Sequence, residues 1–165
     1  QEFELLDNLT AKENITLPLA LHGISGKEAD ERIATIATKL DITDVLDKFP
    51  AQLSGGQKQR VAAARALISN PSIVLADEPT GALDSKNSKI LMDKLAAIND
   101  SEQKTIMMVT HNASVASYCS RILFIQDGSL FHELRRSAQK ETPSTFYERV
   151  MTVLAQMGGG SANVL

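Results

Sequence analysis

One apolar run near the middle of the chain reads Ile73-Val74-Leu75-Ala76-Asp77-Glu78. Four aliphatic residues in succession are typical of a strand that is buried on both faces of a parallel sheet. Two acids follow directly, and open α/β sheets bind their ligands at the carboxyl ends of such strands. The run therefore predicts an α/β fold with acidic side chains at a ligand-binding edge.

Asp77 and Glu78 suit two different chemical tasks. Mg²⁺ prefers hard oxygen ligands, which a carboxylate such as Asp77 provides. Hydrolysis requires a group that polarises the attacking water, and Glu78 has the chemistry of a general base. Acids at strand ends also begin ordinary solvated loops, so these two residues alone leave a catalytic role and a structural role open.

Similar short apolar runs occur at residues 105–110 and 121–126. A helical face formed by Leu91, Leu95 and Ile98 predicts a crossover helix before the second run. Strands joined by crossover helices favour a parallel sheet. Asp127-Gly128 predicts a two-residue hairpin turn that leads into a further strand over residues 129–134.

Helical patterns precede and follow these strands in the sequence. Apolar residues recur at helical spacing over residues 27–40, where a capping box between Ser25 and Glu28 is expected to begin the helix. A shorter helical piece is expected over residues 44–47 and a longer helix over 57–69. After a charged linker over 135–142, a final amphipathic helix carries Phe146, Val150, Val153, Leu154 and Met157 and stops at the glycines of 158–160.

A glycine pair lies just before the helix over 57–69, in the segment Leu53-Ser54-Gly55-Gly56-Gln57. Glycines at a helix N-terminus let backbone N–H groups approach an anion, and the helix dipole adds a favourable field. The Ser54 hydroxyl adds a donor. The segment therefore predicts a phosphate site, although a serine-capped helix after a flexible turn would have the same sequence.

Thr110-His111 follows an apolar strand in the same way as Asp77 and Glu78 do. If the two strands are parallel, the imidazole lies at the same edge of the sheet as the two acids. A single histidine at a strand end is more often structural than catalytic. His111 therefore gains its functional interpretation only from the other segments.

In order and spacing, these segments resemble an ABC ATPase from its Q-loop onwards. The matching pieces are the Q-loop at Gln1, the signature motif at residues 53–57, the Walker B strand at 73–78, the D-loop at 81–84 and the switch histidine His111. The resemblance covers residues 1–134. It implies a helical signature subdomain joined to a RecA-like parallel sheet, with a C-terminal helix.

The family resemblance also implies an ATPase whose two subunits close head to tail around two ATP molecules. Each composite site takes the phosphate loop and Walker B strand from one subunit and the signature motif from the other. The implied roles are as follows: Ser54, Gly55, Gly56 and Gln57 bind the partner's ATP, Asp77 and Gln1 serve Mg²⁺, Glu78 activates water, His111 contacts the γ-phosphate, and Asp84 meets the opposing subunit.

Three regions and a membrane partner follow from the same resemblance. The regions are the Q-loop and helical signature subdomain (1–72), the C-terminal part of the ATPase core (73–134), and a linker with the C-terminal helix (135–165). Residues 10–14 resemble the segment that touches a permease, which would hold the ATPase at the cytoplasmic face of the membrane. Residues 77–84 are similar to the macrolide-exporter and lipoprotein-release branch, and the tail with Phe146, Tyr147 and residues 158–160 resembles the bacitracin-resistance type of antimicrobial-peptide transporter ATPase.

One family motif, the phosphate loop G-x-x-x-x-G-K-[ST], does not occur in the sequence. We therefore expect the chain to be cut upstream of the Q-loop, so that its parallel sheet is incomplete. The strand over 105–110 can still pair with that over 73–76, whereas a gap separates it from the strand over 121–126. Such a chain alone is expected to bind ATP negligibly and to self-associate through its uncovered strands.

Two alternative functions remain open. Chromosome-maintenance and DNA-repair ATPases share two of the motifs but insert a coiled coil or a zinc module, for which the interval from Gln1 to Leu53 is too short. A net charge of −3 disfavours nucleic acid as a ligand, and the single Cys119 disfavours zinc. A non-catalytic interaction module would fit the missing phosphate loop but leaves the set of catalytic residues unexplained.

Overall fold

The computed structural model describes residues 4–137 and 141–158. The chain forms two compact units, Gln1–Val109 and Thr110–Leu165. The first contains helices α1 (Ala11–Leu21), α2 (Gly26–Leu40), α3 (Gly55–Leu67) and α4 (Ser85–Glu102), with strands β1 (Ile73–Asp77) and β2 (Thr105–Val109). The second contains α5 (Ala113–Ala116), β3 (Arg121–Gln126), β4 (Ser129–Arg135) and α6 (Pro143–Gly158). The predicted α/β class is confirmed.

Helix α2 buries the apolar face that its sequence predicts, which consists of Ala29, Ile33, Ile36, Ala37 and Leu40. The predicted capping box is wrong, because the Ser25 side chain makes no capping hydrogen bond. Gly26, the first residue of α2, has a φ of +63°, in the left-handed region that glycine adopts without strain. The piece expected over 44–47 is a 3₁₀ turn at Thr43–Val45.

Sequence patterning does not predict helix α1, which contains Pro18 in its interior. Its N-terminus is a capping box in which the Glu13 N–H donates to Thr10 Oγ1 at 3.2 Å and the Thr10 N–H donates to Glu13 Oε2 at 2.7 Å. The Thr10 N–H and then the Thr10 hydroxyl, which donates to the same carboxylate oxygen at 2.9 Å, lower the pKa of Glu13. The segment assigned to permease contact therefore begins as a regular helix.

Asn14 of α1 is fully buried and organises the segment that precedes the helix. Its Oδ1 accepts from the Leu6 N–H at 2.8 Å. Its Nδ2 donates to the carbonyl oxygens of Leu6, Leu9 and Thr10 at 3.1, 3.1 and 3.0 Å. One side chain thus ties residues 6–10 to α1.

Strands β1 and β2 pair in parallel, with Ile73 opposite Thr105 and Asp77 opposite Val109. The predicted pairing is confirmed, and the crossover helix between the strands is α4, which buries Leu91, Leu95 and Ile98 as expected. One face of this sheet is exposed. Its large apolar residues Ile73, Leu75, Met107 and Val109 are 57, 71, 60 and 60% exposed.

Strands β3 and β4 form a separate antiparallel pair in the second unit. The predicted hairpin turn is confirmed: Asp127 and Gly128 have φ of 49° and 74°, as the primed hairpin turns require. Helix α6 packs on this pair through a core of Phe124, Leu134, Phe146, Val150 and Val153. No helix within residues 4–137 and 141–158 combines the length and the apolar composition that a bilayer span requires.

Candidate functional site

Helix α3 begins at Gly55 with Ser54 as its N-cap. The Gln57 N–H donates to Ser54 Oγ at 3.3 Å, and the Ser54 N–H donates to Gln57 Oε1 at 2.9 Å. The serine-capped helix considered as the plain alternative is therefore the local structure. It is compatible with a phosphate role, because a hydroxyl that accepts one hydrogen bond keeps its own proton to donate.

The two glycines of this turn carry uncommitted backbone donors. Ser54 satisfies the N–H of Gln57, and the Ser54 carbonyl accepts the N–H of Lys58 at 2.9 Å. Among the residues that the structure describes, the N–H groups of Gly55 and Gly56 have no acceptor. Both lie in the first turn of a helix, where the dipole favours an anion. The turn can therefore bind a phosphate oxygen.

Gly56 is buried against the side chain of Asn87, which belongs to the first turn of α4. A Cβ atom at position 56 would overlap Asn87 Oδ1 and lie 2.6 Å from Asn87 Cγ. The close approach of α4 thus requires a glycine at position 56. Sequence reasoning missed Asn87, since no local pattern indicates which residue packs on residues 54–57, the signature turn at the start of α3.

The end of β1 places Asp77 and Glu78 next to each other. Asp77 is exposed, whereas Glu78 is half-buried. The Glu78 N–H donates to the Val109 carbonyl at 2.9 Å, and the Glu78 carbonyl accepts from the Gly81 N–H at 3.0 Å. Both backbone groups of Glu78 are therefore held in place.

Glu78 has a φ of +42°, in the left-handed region. This conformation costs a residue with a Cβ on the order of 1–3 kcal/mol and is concentrated at functional sites. The hydrogen bonds to Val109 and Gly81 maintain it. The unfavourable backbone falls on the residue to which the sequence assigns the attacking water.

Asp84 is the N-cap of α4 and is bound twice by one neighbour. Its Oδ1 accepts from the Asn87 N–H at 2.8 Å, and its Oδ2 accepts from Asn87 Nδ2 at 2.8 Å. The backbone bond and then the side-chain bond of Asn87 lower the pKa of Asp84. The carboxylate is therefore charged at neutral pH and fixed in direction at the start of α4.

His111 belongs to the second unit and is exposed. The next residue, Asn112, is the N-cap of α5 and accepts from the N–H groups of Ser114 and Val115 at 2.9 and 3.3 Å. The cap fixes the backbone directly after the histidine. The placement of His111 at the same sheet edge as Asp77 and Glu78 stays a prediction, and Gln1 lies outside the described residues.

The potential metal-binding side chains of the first unit suit a metal ion that enters the site already bound to its own ligand. In the described residues, no group of three or more His, Cys, Asp or Glu side chains could hold a metal ion. Mg²⁺ in nucleotide sites takes one or two carboxylates and completes its shell with phosphates and water. The exposed carboxylate of Asp77 fits Mg²⁺ bound to a nucleotide and not a preformed all-protein metal centre.

Comparisons with known proteins identify relatives of this chain. Residues 1–81 match the family model described as ABC transporter. The bacitracin export ATP-binding protein BceA of Halalkalibacterium halodurans is 50% identical over 159 residues, which are 96% of this chain and 62% of that protein.

Two solved structures of MJ0796, an ATP-binding protein of Methanocaldococcus jannaschii, are also similar. The dimeric structure of this ABC transporter cassette matches with a TM-score of 0.72 at 42% identity, over 82% of this chain and 60% of that one. A dimeric post-hydrolysis state bound to ADP and Pi matches over the same shares, with a TM-score of 0.71 at 42% identity. The chain thus spans about three fifths of the length of these relatives. Likeness of this extent, over segments that include the α3 turn and the acids of β1, shows that the chain belongs to the family of ABC transporter ATP-binding proteins.

Proposed function

We propose that the protein carrying this sequence binds and hydrolyses ATP to drive transport through a separate membrane permease. The observation that carries the proposal is the α3 turn, which offers the N–H groups of Gly55 and Gly56 and the hydroxyl of Ser54 to an anion. A phosphate bound there would meet two backbone donors, a hydroxyl donor and the positive end of a helix of 13 residues.

The proposed active form is a head-to-tail dimer of ATPase subunits. MJ0796 has been solved as a dimer, and one of its structures holds ADP and Pi. In such a dimer the α3 turn would contact the γ-phosphate of the nucleotide held by the partner. The loop that cradles the β-phosphate would come from residues other than these 165, since the sequence has no G-x-x-x-x-G-K-[ST] motif.

Within the subunit's own site, catalysis would depend on positioning and charge neutralisation. Glu78 would orient and polarise the attacking water, with its backbone held by Val109 and Gly81. Asp77 and Gln1 would hold Mg²⁺, which neutralises phosphate charge when it is bound. His111 would contact the γ-phosphate, and the ionised Asp84 would meet the opposing subunit.

We further propose that the transporter acts on peptide antibiotics, with the ATPase held at the cytoplasmic face of the membrane through its permease. The support is the 50% identity to a bacitracin export protein. That match covers nearly the whole chain, including the region of α6. A net charge of −3 does not favour binding to the phosphate backbone of a nucleic acid, so the proposed function includes no nucleic acid.

The proposal is tested with Glu78→Gln in the complete subunit. The amide keeps the size of the side chain but lacks the base, so steady-state ATP hydrolysis is expected to fall at least about a hundredfold while ATP binding is retained. ATP-bound dimers are then expected to accumulate in size-exclusion chromatography. Hydrolysis near the parental rate would reject the role of Glu78, and a parental subunit without ATPase activity would reject the proposed function.

A further inference from the structure

The side chain of Asn87 lies between two segments that face the opposing subunit in the proposed dimer. On one side, Asn87 Oδ1 and Cγ occupy the space that a side chain at Gly56 would need. On the other, Asn87 Nδ2 donates to Asp84 Oδ2 at 2.8 Å. The backbone N–H of the same residue donates to Asp84 Oδ1 at 2.8 Å. One amide therefore touches the signature turn and holds the D-loop carboxylate.

The orientation of this amide is set by chemistry. An ionised carboxylate only accepts hydrogen bonds, so the Asn87 nitrogen must be the atom on Asp84. The amide oxygen then faces Gly56, as the structure has it. A Cβ at position 56 would displace this oxygen and pull the nitrogen away from Asp84. A shift of the signature turn toward Asn87 would reach the carboxylate in the same way, through the amide group of Asn87.

We propose that Asn87 is a positioning residue that couples the signature turn at Gly56 to Asp84, so that a displacement of one changes the position of the other when the ATPase dimer closes. The inference rests on the proposed function, in which these two segments meet the partner subunit. Asn87 touches neither nucleotide nor water in this scheme. It acts through the residues on its two sides.

The contact is tested by a double-mutant cycle on unfolding of the complete protein. Gly56→Ala is expected to lower the urea midpoint, because Asn87 must move aside. In the Asn87→Ala background the same change is expected to cost less than half as much, since only a Cβ at 3.0 Å remains in the way. Ser85→Ala, an exposed change in the same turn of α4, is the control and should be additive with Gly56→Ala. Additive effects of Gly56→Ala and Asn87→Ala would overturn the proposal.

The coupling is tested by steady-state kinetics of the same protein. Asn87→Ala is expected to lower kcat for ATP hydrolysis roughly three- to tenfold, as loss of one exposed hydrogen bond of ordinary net strength would. The KM for ATP should change by less than about twofold, because the first binding of nucleotide does not involve Asn87. Asn87→Asp keeps the shape but sets a like charge against Asp84, and it should lower kcat further.

The outcomes separate the coupling from the function on which it rests. If both Asn87 variants had the parental kcat while Gly56→Ala and Asn87→Ala were non-additive in unfolding, Asn87 would be only a packing residue. That result would overturn the proposal. A parent that hydrolyses no ATP would reject the proposed function and the coupling together, whereas an active parent with an uncoupled cycle would reject the coupling alone.

Discussion

The Ser54 hydroxyl can both accept and donate a hydrogen bond, and within residues 4–137 and 141–158 it only accepts one. Its Oγ accepts from the Gln57 N–H, which caps α3, while its own proton remains available to donate to the proposed phosphate. In the proposed dimer, a larger side chain at this position would interfere with closure without contacting the subunit's own nucleotide. Gly56→Asp would be a poor test of the same idea, because any side chain at Gly56 collides with Asn87.

We predict that Ser54→Arg in the complete subunit spares the first binding of ATP but prevents dimer closure. The long side chain would fill the space intended for the γ-phosphate of the partner's ATP. Fluorescent-nucleotide titration should give an unchanged Kd within about twofold, while the ATP-dependent dimer peak disappears. Ala51→Arg, an exposed change in the preceding 3₁₀ turn at Pro50–Gln52, should leave both measurements at the parental values. Equal loss of binding and closure would mean that the turn has only a structural role.

Asp84 makes a pH-dependent contribution to stability. Its pKa is lower in the folded protein than in the unfolded chain, where it is about 3.9. The contribution is therefore complete above about pH 4 and is lost as the pH falls through the lower folded value. The difference in urea midpoint between the parent and Asp84→Asn should be constant from pH 7 to 5 and shrink below pH 4. Asp44→Asn controls for the change in net charge, and a difference that grows in acid would contradict the assignment.

Helix α1 is the element that depends most on a single buried polar group. Asn14 is 0% exposed and makes four hydrogen bonds to the backbone. Asn14→Ala is expected to destabilise the protein by about 1–3 kcal/mol, because it leaves backbone groups of residues 6–10 without partners. Chemical denaturation measures this loss, and amide exchange at Leu6 should accelerate. Thr16→Ala removes a hydroxyl that bonds only within the helix and should cost less than about 0.5 kcal/mol.

The helices and strands differ in how well the sequence predicts them. Helices α2 and α6 have apolar patterns that burial imposes directly, so pattern and structure agree. Strand β1 forms where its apolar run predicts it, but burial on both faces is wrong, because Ile73 and Leu75 are exposed. Helix α1 was missed because Pro18 argues against a helix and because its capping box precedes a weakly amphipathic segment. The Ser25 cap was predicted wrongly, since sequence spacing does not report the positive φ of Gly26.

At the scale of the molecule, the exposed face of the β1–β2 sheet dominates the expected solution behaviour. Leu75 and Met107 are directly opposite each other, 71 and 60% exposed. We predict that a polypeptide of these 165 residues self-associates, because a flat apolar sheet face adheres to its copies. Light scattering should report a mass above that of one chain.

The matched variants separate this face from exposed apolar groups elsewhere. Leu75→Lys combined with Met107→Lys should reduce the mass toward that of one chain. Leu21→Lys changes an apolar residue that is 88% exposed at the end of α1, and it should leave the mass unchanged. A monomeric parent, or association that the paired lysines do not reduce, would show that this face is not adhesive.

The sequence predicts individual residues of the site but not the long-range contacts between them. Asp77, Glu78 and the α3 turn are contiguous in sequence and carry their own chemical pattern. The contact between Gly56 and Asn87 is long-range, so it depends on how α3 and α4 pack. The left-handed backbone of Glu78 also escapes prediction, since glutamate gives no indication of it.

That backbone has an evolutionary consequence. The φ of +42° at Glu78 is one that glycine adopts freely and that asparagine and aspartate tolerate better than glutamate does. Selection for folding alone would thus drive this position away from glutamate, and only selection for its carboxylate opposes the drift. In lineages whose descendants no longer turn over nucleotide, position 78 should be among the first to change, and glycine, asparagine and aspartate should be over-represented among the replacements.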